Sequence, residues 1–118
     1  MYRGKIISVV VPCFNEETQI TRVIETMPDF VDHLVIVDDK SSDSTISVVK
    51  ALQKNSSKII LIEHATNQGV GASIASGYVW SRNSNVDAAV VMAGDGQMDP
   101  DDLPQLLSAE RHGPGQDG

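Results

Sequence analysis

The chain has 118 residues, of which 41% are hydrophobic, and nine basic against sixteen acidic side chains give it a net charge of −7. This length suits one domain and leaves too little for two independent cores. The acidic excess argues against a nucleic-acid partner, because such surfaces depend on clustered lysines and arginines. No apolar run approaches the roughly 18 residues of a membrane span. A single cysteine, Cys13, excludes a disulfide scaffold and a zinc site, and fits a reducing cytoplasm.

Four short apolar runs, rich in valine and isoleucine, are typical of strands buried on both faces of a sheet. They cover residues 6–11, 34–37, 59–62 and 88–92. Between and after these runs, apolar residues recur at helical spacing. The helical stripes lie within residues 20–27, 45–52, 70–78 and 103–107. This alternation predicts a doubly wound α/β fold, with a mostly parallel sheet and helices on both faces.

Residues that favour helix N-termini precede three of these helices. They are Asn15, then Ser42 or Ser44, and finally Asp99, which is followed by Pro100. Residues 111–118 contain three glycines, one proline and no apolar residue. We therefore predict a domain over residues 1–110 and a disordered tail over 111–118.

The carboxyl ends of parallel strands lie at one edge of a sheet, so the polar segments that follow the four strands are expected to converge. These segments are 12–17, 38–43, 64–71 and 94–99. Ligands of open α/β sheets bind at this edge, particularly where the strand order reverses. We interpret His64 as a hydrogen-bonded structural histidine rather than a general base. Cys13 has no identifiable base beside it and is interpreted as a small filler.

Asp38 and Asp39 end the second strand as an adjacent acidic pair. Two such carboxylates need hydrogen bonds, a cation or ligand donors to offset their repulsion. In one interpretation, one of them accepts backbone N–H groups from the turn at Ser41 and Ser42 and caps the next helix. In the functional interpretation, the other accepts hydrogen bonds from ligand N–H groups, such as a nucleobase edge.

The glycines at positions 69 and 71 stand at the start of the third helix. Glycine lets the backbone lie close to a ligand, and a helix N-terminus attracts negative charge, so this segment is a candidate for binding a phosphate. The next glycine, Gly77, comes too late for the dinucleotide fingerprint, and no Walker pattern is present. Helix-packing glycines are an equally weighted alternative.

Asp95 and Gln97 follow the fourth strand. Carboxylate and amide oxygens suit a hard divalent cation, which often bridges a protein to a diphosphate. Asp99 is better explained as the cap of the fourth helix than as a ligand, since Pro100 and Asp102 follow it.

Taken in chain order, these segments resemble the inverting GT-A glycosyltransferases of family 2, in particular polyprenyl-phosphate glycosyl- and mannosyltransferases. The resemblance covers about residues 6–107. Three motifs carry it: residues 10–17 (Val-Val-Pro-Cys-Phe-Asn-Glu-Glu), 37–45 (Val-Asp-Asp-Lys-Ser-Ser-Asp-Ser-Thr) and 67–71 (Asn-Gln-Gly-Val-Gly). Asp95 aligns with the second Asp of the family's Asp-x-Asp metal motif, and Ala93 replaces the first. Lys40 stands where a small residue such as glycine is common.

The resemblance implies a Rossmann-like GT-A fold and transfer of a sugar, with inversion, from a UDP- or GDP-linked donor to an acceptor such as a polyprenyl phosphate or a glycan. It implies Mg²⁺ or Mn²⁺ on Asp95 and Gln97, and acceptor-binding residues and a catalytic base beyond Gly118. A cytoplasmic enzyme of cell-envelope glycan synthesis is expected, located at the inner face of the membrane in a longer form; homo-oligomerisation is left open. The implied nucleotide-binding residues are Pro12, Phe14, Asn15, Glu16, Asp38, Asp39, Asn67, Gly71, Gly94 and Asp95.

Two other classes of function are compatible with this layout. A non-catalytic nucleotide-sugar-binding or regulatory module is favoured by Ala93 and by the acceptor part that the resemblance places beyond this chain. A phospho-accepting receiver-like domain shares the alternation of strands and helices, but its acidic pair and phospho-accepting aspartate lie at other strand ends.

Overall fold

The computed structural model describes residues 1–94. The predicted fourth helix, the domain boundary at residue 110, the tail, and the predicted ligands Asp95 and Gln97 lie outside the described residues. Within 1–94, strands and helices alternate as predicted. The elements are β1 (Ile7–Cys13), α1 (Ile20–Glu25), β2 (His33–Asp38), α2 (Thr45–Gln53), β3 (Ile59–Glu63), α3 (Val70–Asn83) and β4 (Ala88–Val91).

The four strands of residues 1–94 form one parallel sheet in the order β3-β2-β1-β4. Val9 of β1 lies opposite Leu34 of β2 on one side and Val90 of β4 on the other. The chain adds β2 and β3 on one side of β1 and then crosses to the other side for β4. The strand order therefore reverses between β1 and β4, which is where a doubly wound sheet opens a crevice at its carboxyl edge.

Neighbouring residues of β1 pack into two different cores. Val9 and Val11 lie in the larger core with α1 and α2, whereas Val10 packs with Val35 of β2 and Trp80 of α3. Helices thus cover both faces of the sheet, as predicted. Burial on both faces is the reason that these strands lack polar alternation.

Small side chains let α3 lie close against β1. A Cβ atom added at Gly77 would lie 2.2 Å from Cγ1 of Val10. The hydroxyls of Ser8 and Ser81 are 2.7 Å apart in a buried hydrogen bond. Gly77 is therefore a helix-packing glycine, while Gly71 has no atom within 4 Å of an added Cβ.

The structure corrects one predicted helix start, at Asn15, and confirms the position of the other, at Ser44. Asn15 does not start α1, which begins at Ile20, because the Asn15 side chain binds the loop after β2 instead. Ser44 is the N-cap residue of α2, but its side chain makes no capping bond. Asp43 accepts the Thr45 N–H at 2.9 Å in its place. No helix of residues 1–94 has the length and apolar character required to cross a bilayer.

Candidate functional site

The loops that follow β1 and β2 are held together at the carboxyl edge of the sheet. The Asn15 N–H donates to Ser41 Oγ at 2.9 Å, and Asn15 Oδ1 accepts the Ser42 N–H at 2.8 Å. The Glu16 N–H donates to Thr45 Oγ1 at 2.9 Å. Asn15 has a φ of +55°, a left-handed conformation that asparagine tolerates. These bonds bring the first two predicted motifs together.

Asp38 is fully buried and binds the turn that follows it. Its Oδ2 accepts the Ser41 N–H at 2.9 Å, and its Oδ1 accepts the Ser41 hydroxyl at 2.5 Å. The turn interpretation is therefore confirmed for Asp38. Its capping part is wrong, because Asp43 accepts the hydrogen bond at the start of α2.

Asp39 joins β2 to the segment that opens α3. Its Oδ1 accepts the Gln68 N–H at 2.8 Å and lies 2.9 Å from Nδ1 of His64, and its Oδ2 accepts the Gly69 N–H at 2.8 Å. The Asn67 side chain donates to the Asp39 carbonyl at 3.1 Å. Asp39 alone of the acidic pair thus holds the third predicted motif.

Hydrogen bonds keep Asp39 ionised although it is buried. Burial raises the pKa of its carboxyl, but the donors on Gln68, His64 and Gly69 outweigh this and hold the pKa below its usual value. Since an ionised carboxylate only accepts hydrogen bonds, Nδ1 of His64 carries a proton. The other ring nitrogen, Nε2, lies 2.9 Å from Ser76 Oγ on α3. His64 is therefore the hydrogen-bonded structural histidine that was predicted.

The link from Asp39 through His64 to Ser76 was not predicted from the sequence. The sequence holds one signal for its first half, because Asp39 and His64 each stand two residues after an apolar strand run, 34–37 and 59–62. In the structure, Asp38 and Glu63 are paired in the sheet register. The next residues along the two strands are Asp39 and His64, which places their side chains next to each other. The contact with Ser76 depends on how α3 packs and has no sequence signal.

Cys13 is buried beside Asp38. Burial, followed by the negative charges of Asp38 and Glu16, raises the pKa of its thiol to about 12. The thiol therefore stays protonated at neutral pH and is a poor nucleophile. The burial of Cys13 confirms that it is a small side chain packed in the core.

A cavity of about 220 Å³ opens at the carboxyl edge, where β1 and β4 adjoin. The Gly94 N–H donates to the Pro12 carbonyl at 3.3 Å, and an added Cβ at Gly94 would lie 3.0 Å from Cβ of Cys13. Glycine is needed at this position because the two strand ends approach so closely. The cavity is lined by Pro12, Cys13, Phe14, Glu16, Asp39, Val70, Ser73, Ala93 and Gly94.

Half of the ten predicted nucleotide-binding residues line this cavity: Pro12, Phe14, Glu16, Asp39 and Gly94. Four others lie around it. Asn15, Asp38 and Asn67 make the hydrogen bonds that hold its loops, and Gly71 lies exposed in the first turn of α3. Asp95 lies outside the described residues.

Residues 1–94 contain no group of three or more His, Cys, Asp or Glu side chains that could hold a metal ion. Ala93, which the motif resemblance aligns with the first carboxylate of the family's metal motif, lines the cavity and has no side-chain oxygen. A metal at this edge would therefore depend on Asp95 and Gln97, and both stay predictions.

Comparison with known proteins gives the same family as the motifs. Residues 8–114 match the family model described as glycosyl transferase family 2. Over 116 residues the chain is 32% identical to a UDP-N-acetylglucosamine–dolichyl-phosphate N-acetylglucosaminyltransferase of Methanococcus voltae, covering 87% of this chain and 46% of that protein. The chain thus spans less than half the length of this curated relative.

Two solved structures show the same fold. A mannosyltransferase of Pyrobaculum calidifontis, in complex with GDP-mannose and Mn²⁺, superposes with a TM-score of 0.74 at 20% identity, over 90% of this chain and 32% of that one. Glucosyl-3-phosphoglycerate synthase of Mycobacterium tuberculosis, in complex with Mn²⁺, UDP and glucosyl-3-phosphoglycerate, gives a TM-score of 0.66 at 25% identity, over 95% of this chain and 42% of that one. The Rossmann-like GT-A fold is thereby confirmed.

Proposed function

The chain belongs to glycosyl transferase family 2, and from this premise we propose that residues 1–94 carry most of the donor site of a sugar-transferring enzyme. The donor is a nucleoside-diphosphate sugar, linked to UDP or GDP. The acceptor is a polyprenyl phosphate or a glycan, as the dolichyl-phosphate relative suggests. The enzyme works in the cytoplasm, and in a longer form at the inner face of the membrane, in the synthesis of cell-envelope glycans.

The cavity at the strand reversal supports this proposal best, since it combines groups suited to the parts of such a donor. Asp39 supplies an ionised acceptor for base N–H groups. Phe14 is 46% exposed and lines the cavity, so its ring can stack on a base. An added Cβ at Gly71, in the first turn of α3, would meet no atom within 4 Å, so the backbone at this position is accessible to a phosphate.

Inverting transfer needs an acceptor nucleophile and a stabilised diphosphate leaving group. A phosphate acceptor is already anionic and requires little help from a base. A divalent cation held by Asp95 and Gln97 would supply positive charge to the diphosphate. Within residues 1–94, the contribution of this chain is to bind and orient the nucleotide.

A second function is favoured by Ala93. Where the family's metal motif begins with a carboxylate, this chain has a methyl group at the cavity wall. A site that binds the nucleotide sugar without transferring its sugar would account for this substitution.

Calorimetric titration with UDP and GDP, with and without Mn²⁺, tests whether the cavity binds a nucleotide. An assay of sugar transfer to polyprenyl phosphate then separates a transferase from a site that only binds the nucleotide sugar. We expect binding that weakens about tenfold in Phe14→Ala, from the loss of one stacking contact. Val79→Ala, which removes an apolar side chain 45% exposed on α3, is the control and should bind as the parent does. Absence of binding to both nucleotides would refute the proposal, and binding without transfer would favour the second function.

A further inference from the structure

Glu16 lies beside the segment that follows β4, although it belongs to the loop that follows β1. A Cβ atom added at Gly94 would lie 3.5 Å from Cγ of Glu16. The carboxyl group of Glu16 begins one bond beyond that atom, and Glu16, Ala93 and Gly94 line the same cavity. The Glu16 side chain therefore lies at the segment where the resemblance places the family's metal motif.

The backbone of Glu16 is held on both sides. Its N–H donates to Thr45 Oγ1 at 2.9 Å. Its carbonyl accepts the N–H groups of Gln19 and Ile20 at 3.0 and 2.8 Å, where α1 begins. The Glu16 side chain therefore approaches the cavity from a fixed backbone position, which lowers the entropic cost of binding a ligand there.

Of the described residues, two acids line the cavity, Asp39 and Glu16. The Asp39 carboxylate accepts hydrogen bonds from three groups in the segment between β3 and α3. Glu16 instead approaches the segment after β4. Burial and then the charge of Asp38 raise the pKa of the Cys13 thiol most, and the charge of Glu16 follows. The Glu16 carboxylate therefore lies near Cys13, within the cavity that both residues line.

The cavity wall lacks one carboxylate where the family's metal motif would place it. Ala93 aligns with that carboxylate by resemblance, and its methyl group offers no oxygen. Hard divalent cations favour carboxylate oxygens, and the number of charged ligands sets how tightly they bind. A carboxylate that reaches the adjacent glycine from the loop after β1 fits such a cation in charge and in donor type.

Resting on the proposed function, we infer that the Glu16 carboxylate replaces the one missing at Ala93 and binds the divalent cation of the donor site. It does so beside Asp95 and Gln97, the two ligands predicted from the sequence. The resemblance assigns Glu16 to the nucleotide, so this inference gives the residue a different ligand. The site then keeps its affinity for the cation although position 93 has no oxygen.

Calorimetric titration of the 118-residue chain with UDP and with GDP, in the absence and presence of Mn²⁺, measures how far the metal tightens nucleotide binding. We expect the parent to show at least about tenfold tightening. Glu16→Gln keeps the shape of the side chain but removes its charge, and should reduce the tightening to within about threefold. Electron paramagnetic resonance of free Mn²⁺, titrated with the nucleotide present, should report the same loss, because the coupling between two ligands is reciprocal.

Further variants separate a bound cation from other effects of the substitution. Glu17→Gln removes the same charge from the next residue, which is exposed, and should leave the tightening unchanged. Ala93→Asp in the Glu16→Gln background returns a carboxylate to the cavity wall and should restore the tightening. Glu16→Asp keeps the charge but shortens the side chain by one methylene, and should reduce the tightening even if Glu16→Gln does not fold.

Nucleotide binding by the parent that Mn²⁺ does not tighten would overturn the inference while leaving the proposed function standing. A Glu16→Gln chain that loses metal-free affinity but keeps the tightening would do so as well, because Glu16 would then contact the nucleotide alone. An equal loss of tightening in Glu17→Gln, or no restoration by Ala93→Asp, would also overturn the inference. Binding of neither nucleotide would overturn both.

Discussion

Replacing Asp39 by asparagine tests the centre of the site, because it removes the charge and turns one acceptor oxygen into a donor. Oδ1 accepts from two groups and Oδ2 from one. The less damaging orientation of the amide therefore places its NH₂ group where Oδ2 was. In that orientation the Gly69 N–H faces another donor and loses its partner.

The cost follows from these contacts. An unsatisfied buried donor costs about 1–3 kcal/mol, and the two bonds that remain lose the strength that an ionised acceptor gives them. Relief from burying a charge offsets part of this loss. We expect Asp39→Asn to lower the free energy of unfolding by about 2–3 kcal/mol at pH 7.

The effect should depend on pH in one direction. Because the folded pKa of Asp39 lies below its unfolded value, the ionised carboxylate stabilises the fold fully above the unfolded pKa of about 3.9. That contribution is lost as the pH falls through the folded pKa. The stability gap between parent and variant should therefore be constant near neutral pH and shrink below about pH 4.

Urea unfolding followed by circular dichroism, at pH 7 and in steps towards pH 3, measures this gap. The exposed Asp29 provides the control, and Asp29→Asn should change the free energy of unfolding by less than about 0.5 kcal/mol. A gap below about 1 kcal/mol at pH 7, or one that does not shrink in acid, would refute the hydrogen-bonding role assigned to Asp39.

Three further predictions concern other parts of the chain. Gly77→Ala should destabilise the fold by about 1–2 kcal/mol in urea, since the new Cβ collides with Val10; Gly71→Ala in the same helix meets nothing and should be neutral or stabilising. Lys40 has a φ of +65°, so Lys40→Gly should raise the free energy of unfolding by about 0.5–1 kcal/mol; a loss would contradict this. Asp95→Asn should weaken Mn²⁺-dependent UDP binding in calorimetry without altering the circular dichroism spectrum, and equal affinity would argue against the metal assignment.

Much of the fold could be predicted from local pattern alone. Continuous valine and isoleucine runs identified strands buried on both faces, and the apolar stripes between them identified the helices. The alternation then left a parallel, doubly wound sheet as the expected arrangement, because crossovers between parallel strands follow one hand. Strand ends differed by one or two residues, and α3 extends to Asn83, beyond the predicted stripe.

The residues of the site were also predicted, but not the way in which they interact. Strand ends converge in any such sheet, so Phe14, Asp39 and Gly94 could be assigned to one edge from sequence. Asn15 was expected to start a helix and instead joins two loops. Its side chain could satisfy either arrangement locally, and only the position of the loop after β2 decides between them.

What the sequence by itself determined was the order of the elements and the chemistry available at one edge, since both depend on residue type and spacing. Only the tertiary structure decided which of the two adjacent aspartates binds its own turn and which joins β2 to α3. It also decided that His64 and Ser76 share a hydrogen bond. The contacts of Asp39 and His64 join segments that are distant along the chain. Their geometry is set by strand register and helix packing rather than by any local preference.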